Sequence, residues 1–285
     1  MRTVDLHVHS DKSDGSFAPA ALVDLAAAKG LSAFALTDHD TTAGIREATE
    51  AGKKKGIEVV PGIEFSTEYG GKDIHIVGLF IDENAPAFLT QLQEFMESRI
   101  RRNEKLCARL QEAGIDIAYE ALLNAFPGCV ITRGHYARFL LDRGYVKSLP
   151  EAFERYLGDH TRYFVPREKI TPKRAVELIL QTKGLPVLAH PLLYHMGRDS
   201  LETLVRSLTE AGLTGIEVFY STHSEGETRQ MQQLAARFGL LPSGGSDFHG
   251  KAKPKLELGT GYGRLVVPES VLDGLKAKRK ELFDV

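Results

Sequence analysis

Imidazoles and carboxylates recur where short apolar runs stop, and no other feature of the sequence limits its fold so tightly. The first run, Thr3 to His9, alternates Val4, Leu6 and Val8 with Asp5, His7 and His9, the period of two of a β-strand. His7 and His9 then project to one face at its end, followed by Ser10-Asp11 and Asp14-Gly15. Val4, Leu6 and Val8 face the opposite way, toward covering helices. The second run ends in Thr37-Asp38-His39-Asp40, and the third, Val59 to Glu64, places a carboxylate at its end. The fourth contains Asp73-Ile74-His75, the fifth closes in Ala189-His190-Pro191, and the last in Ser246-Asp247-Phe248-His249. A lone histidine on a strand is ordinarily a hydrogen-bonded core residue. Six strands carrying such groups call for a fold that gathers strand ends, as a barrel does at its C-terminal edge.

Helical stretches separate most of these runs: Pro19 to Lys29, Ile45 to Lys55, Pro172 to Lys183, Leu201 to Ala211 and Glu225 to Phe238. With Leu31 to Thr37, Ile57 to Phe65, Asp73 to Ile81, Leu185 to His190, Thr214 to Tyr220 and Leu240 to Gly245 as strands, about seven strands alternate with helices. This is the pattern of a parallel α/β barrel. Residues 86–170 break the rhythm and read as a mainly helical insertion over one barrel face, so the whole of 1–285 is taken as one domain. The composition agrees: 285 residues, 42% hydrophobic and 26% charged, describe an ordinary globular chain. A net charge of −2 argues against gripping long nucleic acid by bulk phosphate attraction. Cys107 and Cys129 make no disulfide framework and fit a reducing, cytoplasmic setting; Cys107 reads as core. No membrane span or signal-peptide core is visible. The basic run at Lys276 to Lys280 reads as a solvated helix end.

His7, His9, Asp14, His39, Glu64, His75, His190, Asp247 and His249 form a donor set of neutral imidazole and carboxylate, which suits Zn, Mn or Fe. The lack of cysteine among them argues against a structural thiolate site. They are too many for one tetrahedral ion and suit two or three ions sharing a bridging carboxylate.

These motifs, together with Gly62-Ile63-Glu64, resemble those of the PHP (polymerase and histidinol phosphatase) family over essentially the whole chain. The resemblance implies a distorted seven-stranded (β/α) barrel with three metal ions, Mn²⁺ by preference and Zn²⁺ or Fe²⁺ as substitutes, hydrolysing phosphate esters. By the same resemblance His7, His9, Glu64 and Asp247 would hold one ion. Glu64 would bridge to a second ion held with His75 and His190, and Asp14, His39 and His249 would hold the third. Asp14 stands where some relatives have histidine. Asp5 and Asp38 read as acids that orient their neighbours.

In the long helix beginning at Pro86, Arg99 falls within an apolar arc of Leu89, Leu92, Met96, Ile100, Cys107 and Leu110, and Arg102 lies at its edge. An arginine there is a buried ion pair, a snorkelling side chain, or a phosphate ligand. Thr132-Arg133-Gly134-His135 reads as an N-cap that leaves the amides of Gly134 and His135 free for an anion, with Arg133 and His135 adding charge and donors. His223, just past a strand end, is a candidate substrate contact or leaving-group acid, and equally an ordinary loop residue. Within the resembled family, such a cap points to 3′,5′-bisphosphonucleotides losing their 3′-phosphate, and to 5′-3′ cleavage of short RNA with a 5′-phosphate. The rival readings are a histidinol-phosphate phosphatase and a non-catalytic metal-binding scaffold.

Overall fold

The computed structural model describes residues 2–165 and 170–284. In chain order the elements are β1 (Val4–Val8), α1 (Pro19–Ala28), β2 (Ala33–Leu36), α2 (Ile45–Lys55), β3 (Glu58–Tyr69) and β4 (Lys72–Leu79). A helical stretch follows: α3 (Pro86–Glu112), α4 (Tyr119–Ala125), α5 (Arg133–Asp142), α6 (Leu149–Ala152) and a π-helical turn, Phe153–Leu157. The alternation then resumes with α7 (Pro172–Gln181), β5 (Leu185–Leu188), α8 (Arg198–Glu210), β6 (Gly215–Tyr220), α9 (Glu225–Phe238), β7 (Leu241–Gly245) and α10 (Glu269–Phe283). No helix among the described residues is long and apolar enough to cross a membrane.

The seven strands are hydrogen-bonded in sequence order. The ring is drawn together between β7 and β1, where His9 N donates to Phe248 O (3.0 Å) and Asp247 N to His7 O (2.9 Å). That approach requires Gly245, since a Cβ there would lie 2.4 Å from His7 N. The result is the expected (β/α) barrel with two departures. The first concerns direction: β4 runs antiparallel to both β3 and β5, so the barrel is mixed and not parallel throughout. The connection from β3 is only Gly70-Gly71, both at positive φ, and a two-residue turn can join only antiparallel neighbours. Glu64 consequently lies inside the long β3 rather than at its end. His75, early in the reversed β4, returns to the same edge, with Ser66 opposite His75 and Glu64 opposite Val77.

The second departure is in β1. Its register on β2 slips between Asp5 and Val8, an extra residue that breaks strict alternation. Val4, Leu6 and Val8 therefore do not share one face. Val4 and Leu6 pack with Ala33, Ala35, Val60, Val187 and the α10 residues Leu272 and Leu275, whereas Val8 packs with Leu22, Val23 and Phe34 beside α1. The β3–β6 side is covered by α7, α8 and α9 through Ile179, Leu204, Val205 and Met231. Helices α3 to α6 carry their own cluster around Leu110, Tyr136, Phe139 and Leu140, and Cys107 is buried in it as expected.

Candidate metal centre and substrate cavity

The structure brings all nine sequence-selected donors together. They form overlapping groups whose ligand atoms lie within 4.8 Å of one another: His7, His9 and Asp247; His7, Glu64 and His190; His39, Glu64 and His75; and His9, Asp14, His39 and His249. The best-formed group is held by β1, β3 and the turn after β7. His7 Nε2 and His9 Nε2 face each other at 3.1 Å. Glu64 Oε2 lies 3.3 and 3.2 Å from those two nitrogens, and Asp247 Oδ1 lies 3.6 and 3.3 Å from them. An ion with bonds of about 2.0–2.1 Å sets tetrahedral ligands roughly 3.3–3.4 Å apart. The five spacings are close to that separation, so the donors fit a divalent metal.

Glu64 is the shared node. Its Oε1 lies 2.8 Å from His75 Nδ1 and 3.0 Å from His190 Nε2, while Oε2 also meets His39 Nδ1 at 3.1 Å. Asp14 gathers the remaining donors, with Oδ1 at 3.2 Å from His249 Nε2 and 3.8 Å from His9 Nδ1, and Oδ2 at 3.7 Å from His39 Nε2. His9 thus presents one ring nitrogen to each of two groups, a sharing that the motif pattern did not indicate.

Partners behind these donors aim them. His7 Nδ1 lies 2.7 Å from Glu217 Oε1, whose Oε2 accepts from His190 N at 2.5 Å. His249 Nδ1 donates to Asp247 O at 2.8 Å, which leaves Nε2 for Asp14. Asp247 Oδ2 is occupied by Tyr220 Oη and Lys253 Nζ, each at 2.7 Å, so that Oδ1 alone faces the histidines. Asp5 accepts from Ser246 N and Gly259 N at 2.8 Å each, and Asp38 from Ser10 N at 2.8 Å and Ser13 Oγ at 2.6 Å. Both acids orient ligand-bearing turns, as the sequence suggested. Glu217, Tyr220 and Lys253 were missed. The one available signal was a glutamate within the otherwise apolar Ile216–Phe219 run.

The backbone is constrained at the same edge: Asp40, His190 and Asp247 adopt φ of 53°, 26° and 56° just beyond β2, β5 and β7. Such conformations persist only where surrounding contacts hold them, and they cluster at functional sites. Electrostatics follow the same geometry. Burial opposes ionisation of Glu64, Asp14 and Asp247, but the facing cations outweigh it and hold all three well below the carboxylate range. Burial likewise works to depress His7 and His9, yet Glu217, Glu64 and Asp247 carry His7 well above its usual value, and Asp247 and Glu64 raise His9 to about 9. His39 goes the other way, pushed down to about 3 by burial.

A cavity of about 500 Å³ opens beside this cluster. Asp14, His39 and His75 line it together with Arg99, Arg102, Arg133 and Gly134, and its apolar wall comes from Leu106, Phe153, Leu157, Phe164 and Val165. Arg99, 4% exposed, is ion-paired with Asp40, as in the buried-pair reading, and it also lines the cavity. Arg133 bonds Asp73 at 2.9 Å and also meets Asp159. The free helix start expected at Thr132 is not found. Gly134 N donates to Thr132 Oγ1 (3.2 Å), His135 N to Thr132 O (3.1 Å), and His135 Nδ1 accepts from Thr132 N (3.0 Å). The capping box consumes the donors that an anion would have used, and it turns His135 into a buried structural residue whose ring tilts against Phe126. His223 is also set apart. Its Nδ1 turns back to Val218 O at 3.0 Å, and it lines a different cavity with Phe219, Arg229 and Arg264.

Comparison with known proteins adds an independent result. Residues 5–241 match the family model described as the PHP domain. A 3′,5′-nucleoside bisphosphate phosphatase from Chromobacterium violaceum is 37% identical over 91% of this chain and 91% of its own. A 5′-3′ exoribonuclease from Haemophilus influenzae is 39% identical, covering 86% of this chain and 89% of that one. Among solved structures, an amidohydrolase from Chromobacterium violaceum with bound sulfate and no metal superposes with a TM-score of 0.86. It shares 35% identity over 97% of this chain and 96% of that chain.

Proposed function

This chain belongs to the PHP domain family, and on that premise we propose that it is a metal-dependent phosphoesterase that removes the 3′-phosphate of 3′,5′-bisphosphonucleotides, with 5′-3′ cleavage of short 5′-phosphorylated RNA as a related activity. The observation that carries the reading is a single cavity lined both by metal-type donors and by three arginines. Such a cavity suits a ligand with two phosphates, one to be cleaved and one to be held.

Divalent metal would be held by His7, His9, Asp14, His39, Glu64, His75, His190, Asp247 and His249, as three Mn²⁺ ions, or Zn²⁺ or Fe²⁺ in their place. When bound, it supplies an activated water and neutralises charge on the phosphoryl oxygens. The chain's own residues do the rest. Glu217, Tyr220 and Lys253 hold ligands in one orientation, and Arg102 and Arg133 position the second phosphate by guanidinium contacts. Residues 86–170 act as the cap that supplies those arginines, within one domain spanning 1–285. Two free cysteines and a small nucleotide substrate fit a cytoplasmic enzyme.

The test compares turnover of adenosine 3′,5′-bisphosphate, histidinol phosphate and a short 5′-phosphorylated RNA by the Mn²⁺-loaded protein. Preference for the bisphosphate is expected. Equal or better hydrolysis of histidinol phosphate would overturn the substrate reading, and no hydrolysis of any ester would favour a metal-binding scaffold.

A further inference from the structure

Most aromatic side chains of the segment between α3 and α7 are committed to its own core. Tyr136 and Phe139 are buried in it, and Tyr119, Phe126, Tyr145, Tyr156 and Tyr163 pack against it. Phe153 and Phe164 belong to none of the hydrophobic clusters formed by the described residues, and both line the cavity that holds the metal-type donors and the arginines. Phe153 is 37% exposed, so part of its surface remains accessible from the cavity.

The local backbone explains how it comes to be there. Phe153–Leu157 is a π-helical turn in which Gly158 N donates to Phe153 O at 2.8 Å, five residues back. An α-helical continuation of α6 would space its side chains differently. The wider turn lets Leu157 stay in the core while also reaching the cavity wall, and it leaves Phe153 outside that core. Phe164 is held from its own side: its carbonyl accepts from Arg109, and the Arg133 guanidinium carbon lies 6.0 Å from its ring centroid. Phe164 therefore sits beside the arginine that the second phosphate would meet, and Phe153 lines the same cavity.

We propose that Phe153, with Phe164, forms the platform on which the nucleobase of the substrate stacks, so that this enzyme selects nucleotides over simple sugar phosphates by apolar contact with the base. The inference rests on the nucleotide reading of this cavity and deepens it by naming the specificity-determining residues. Stacking suits the task because every base offers a π-face, and an alanine in place of the aromatic partner costs roughly 5- to 150-fold in affinity.

The experiment measures calorimetric binding of AMP and of 1-deoxyribose 5-phosphate, which lacks the base, to the Mn²⁺-loaded protein. Wild type, Phe153→Ala and Phe153→Trp are compared, with turnover of adenosine 3′,5′-bisphosphate followed in parallel. Phe153→Ala should weaken AMP about tenfold and leave the baseless compound unchanged, and Phe153→Trp should restore AMP binding. Circular dichroism of each variant checks that this exposed position leaves the fold intact. Equal weakening for both ligands, or wild-type protein that binds both alike, would overturn the platform. Base-dependent binding without hydrolysis of the bisphosphate would instead overturn the phosphoesterase reading and leave the platform standing.

Discussion

Glu217 shows how much of this site is carried by a residue outside every motif. It bonds His7 through one oxygen and the His190 backbone through the other, so it fixes a ring and a turn that belong to different strands. Replacing it by glutamine keeps the volume and removes the charge that supports His7. Loss of such an orienting partner typically costs 10- to 100-fold in metal affinity. A chelator-competition titration of Glu217→Gln should show that loss with little change in melting temperature, and unchanged affinity would reduce Glu217 to a packing role. Asp40 makes the complementary case, since it faces Arg99 with both side chains almost wholly buried. Removing one partner of a buried pair costs about 3–5 kcal/mol. Asp40→Ala should therefore lower the urea midpoint sharply, and a shift of less than about 1 kcal/mol would mean that solvent reaches the guanidinium. Most of the motif residues were legible because they stand on or just beyond short apolar runs. Glu217 was not, and neither was the pairing of the motif residue Asp40 with Arg99, because these partners are 210 and 59 residues apart in sequence and meet only once the barrel closes.

Elements were easier to read than their directions. Alternation in Asp73 to Ile81 identifies a strand, but period says nothing about orientation, and only the Gly70-Gly71 turn carries that information. The bulge in β1 is similarly hidden, because Val4, Leu6 and Val8 look regular until β2 is laid beside them. At α5 the helix start was correctly placed at Thr132, yet its purpose was misjudged. A capping box satisfies the very amides that an unpaired helix start would offer to a phosphate. The structural role is directly testable: Thr132→Ala should cost about 1 kcal/mol of stability, the usual value of an N-cap hydroxyl. Urea denaturation measures this. If the substitution instead left stability untouched and weakened phosphate binding, the helix start would be an anion site after all.

On the scale of the whole molecule, the fold gathers carboxylates and imidazoles from β1, β3, β4 and the turns after β2, β5 and β7, and something must balance the charge it buries. In the metal-free protein, protons do so. His9 is raised from 6.5 to about 9 and His7 moves the same way, so their contribution is complete below pH 6.5 and is lost as pH climbs through about 9. His39, depressed to about 3, acts in the opposite sense and costs stability as pH falls below 6.5. Glu64, Asp14 and Asp247, held low, lose their contribution only in stronger acid. The metal-free protein should therefore be most stable near pH 6.5 and decline toward pH 9. Metal replaces those protons, so loading releases them and removes the alkaline decline. At 100 times its dissociation constant, each bound ion adds about 2.7 kcal/mol. Thermal melts from pH 6 to 9 with EDTA and with Mn²⁺ should diverge as pH rises, the loaded form remaining stable while the stripped form falls. Parallel curves in the two conditions would mean that metal does not bind where these protons sit, and the nine-residue cluster would lose its assignment as the metal centre.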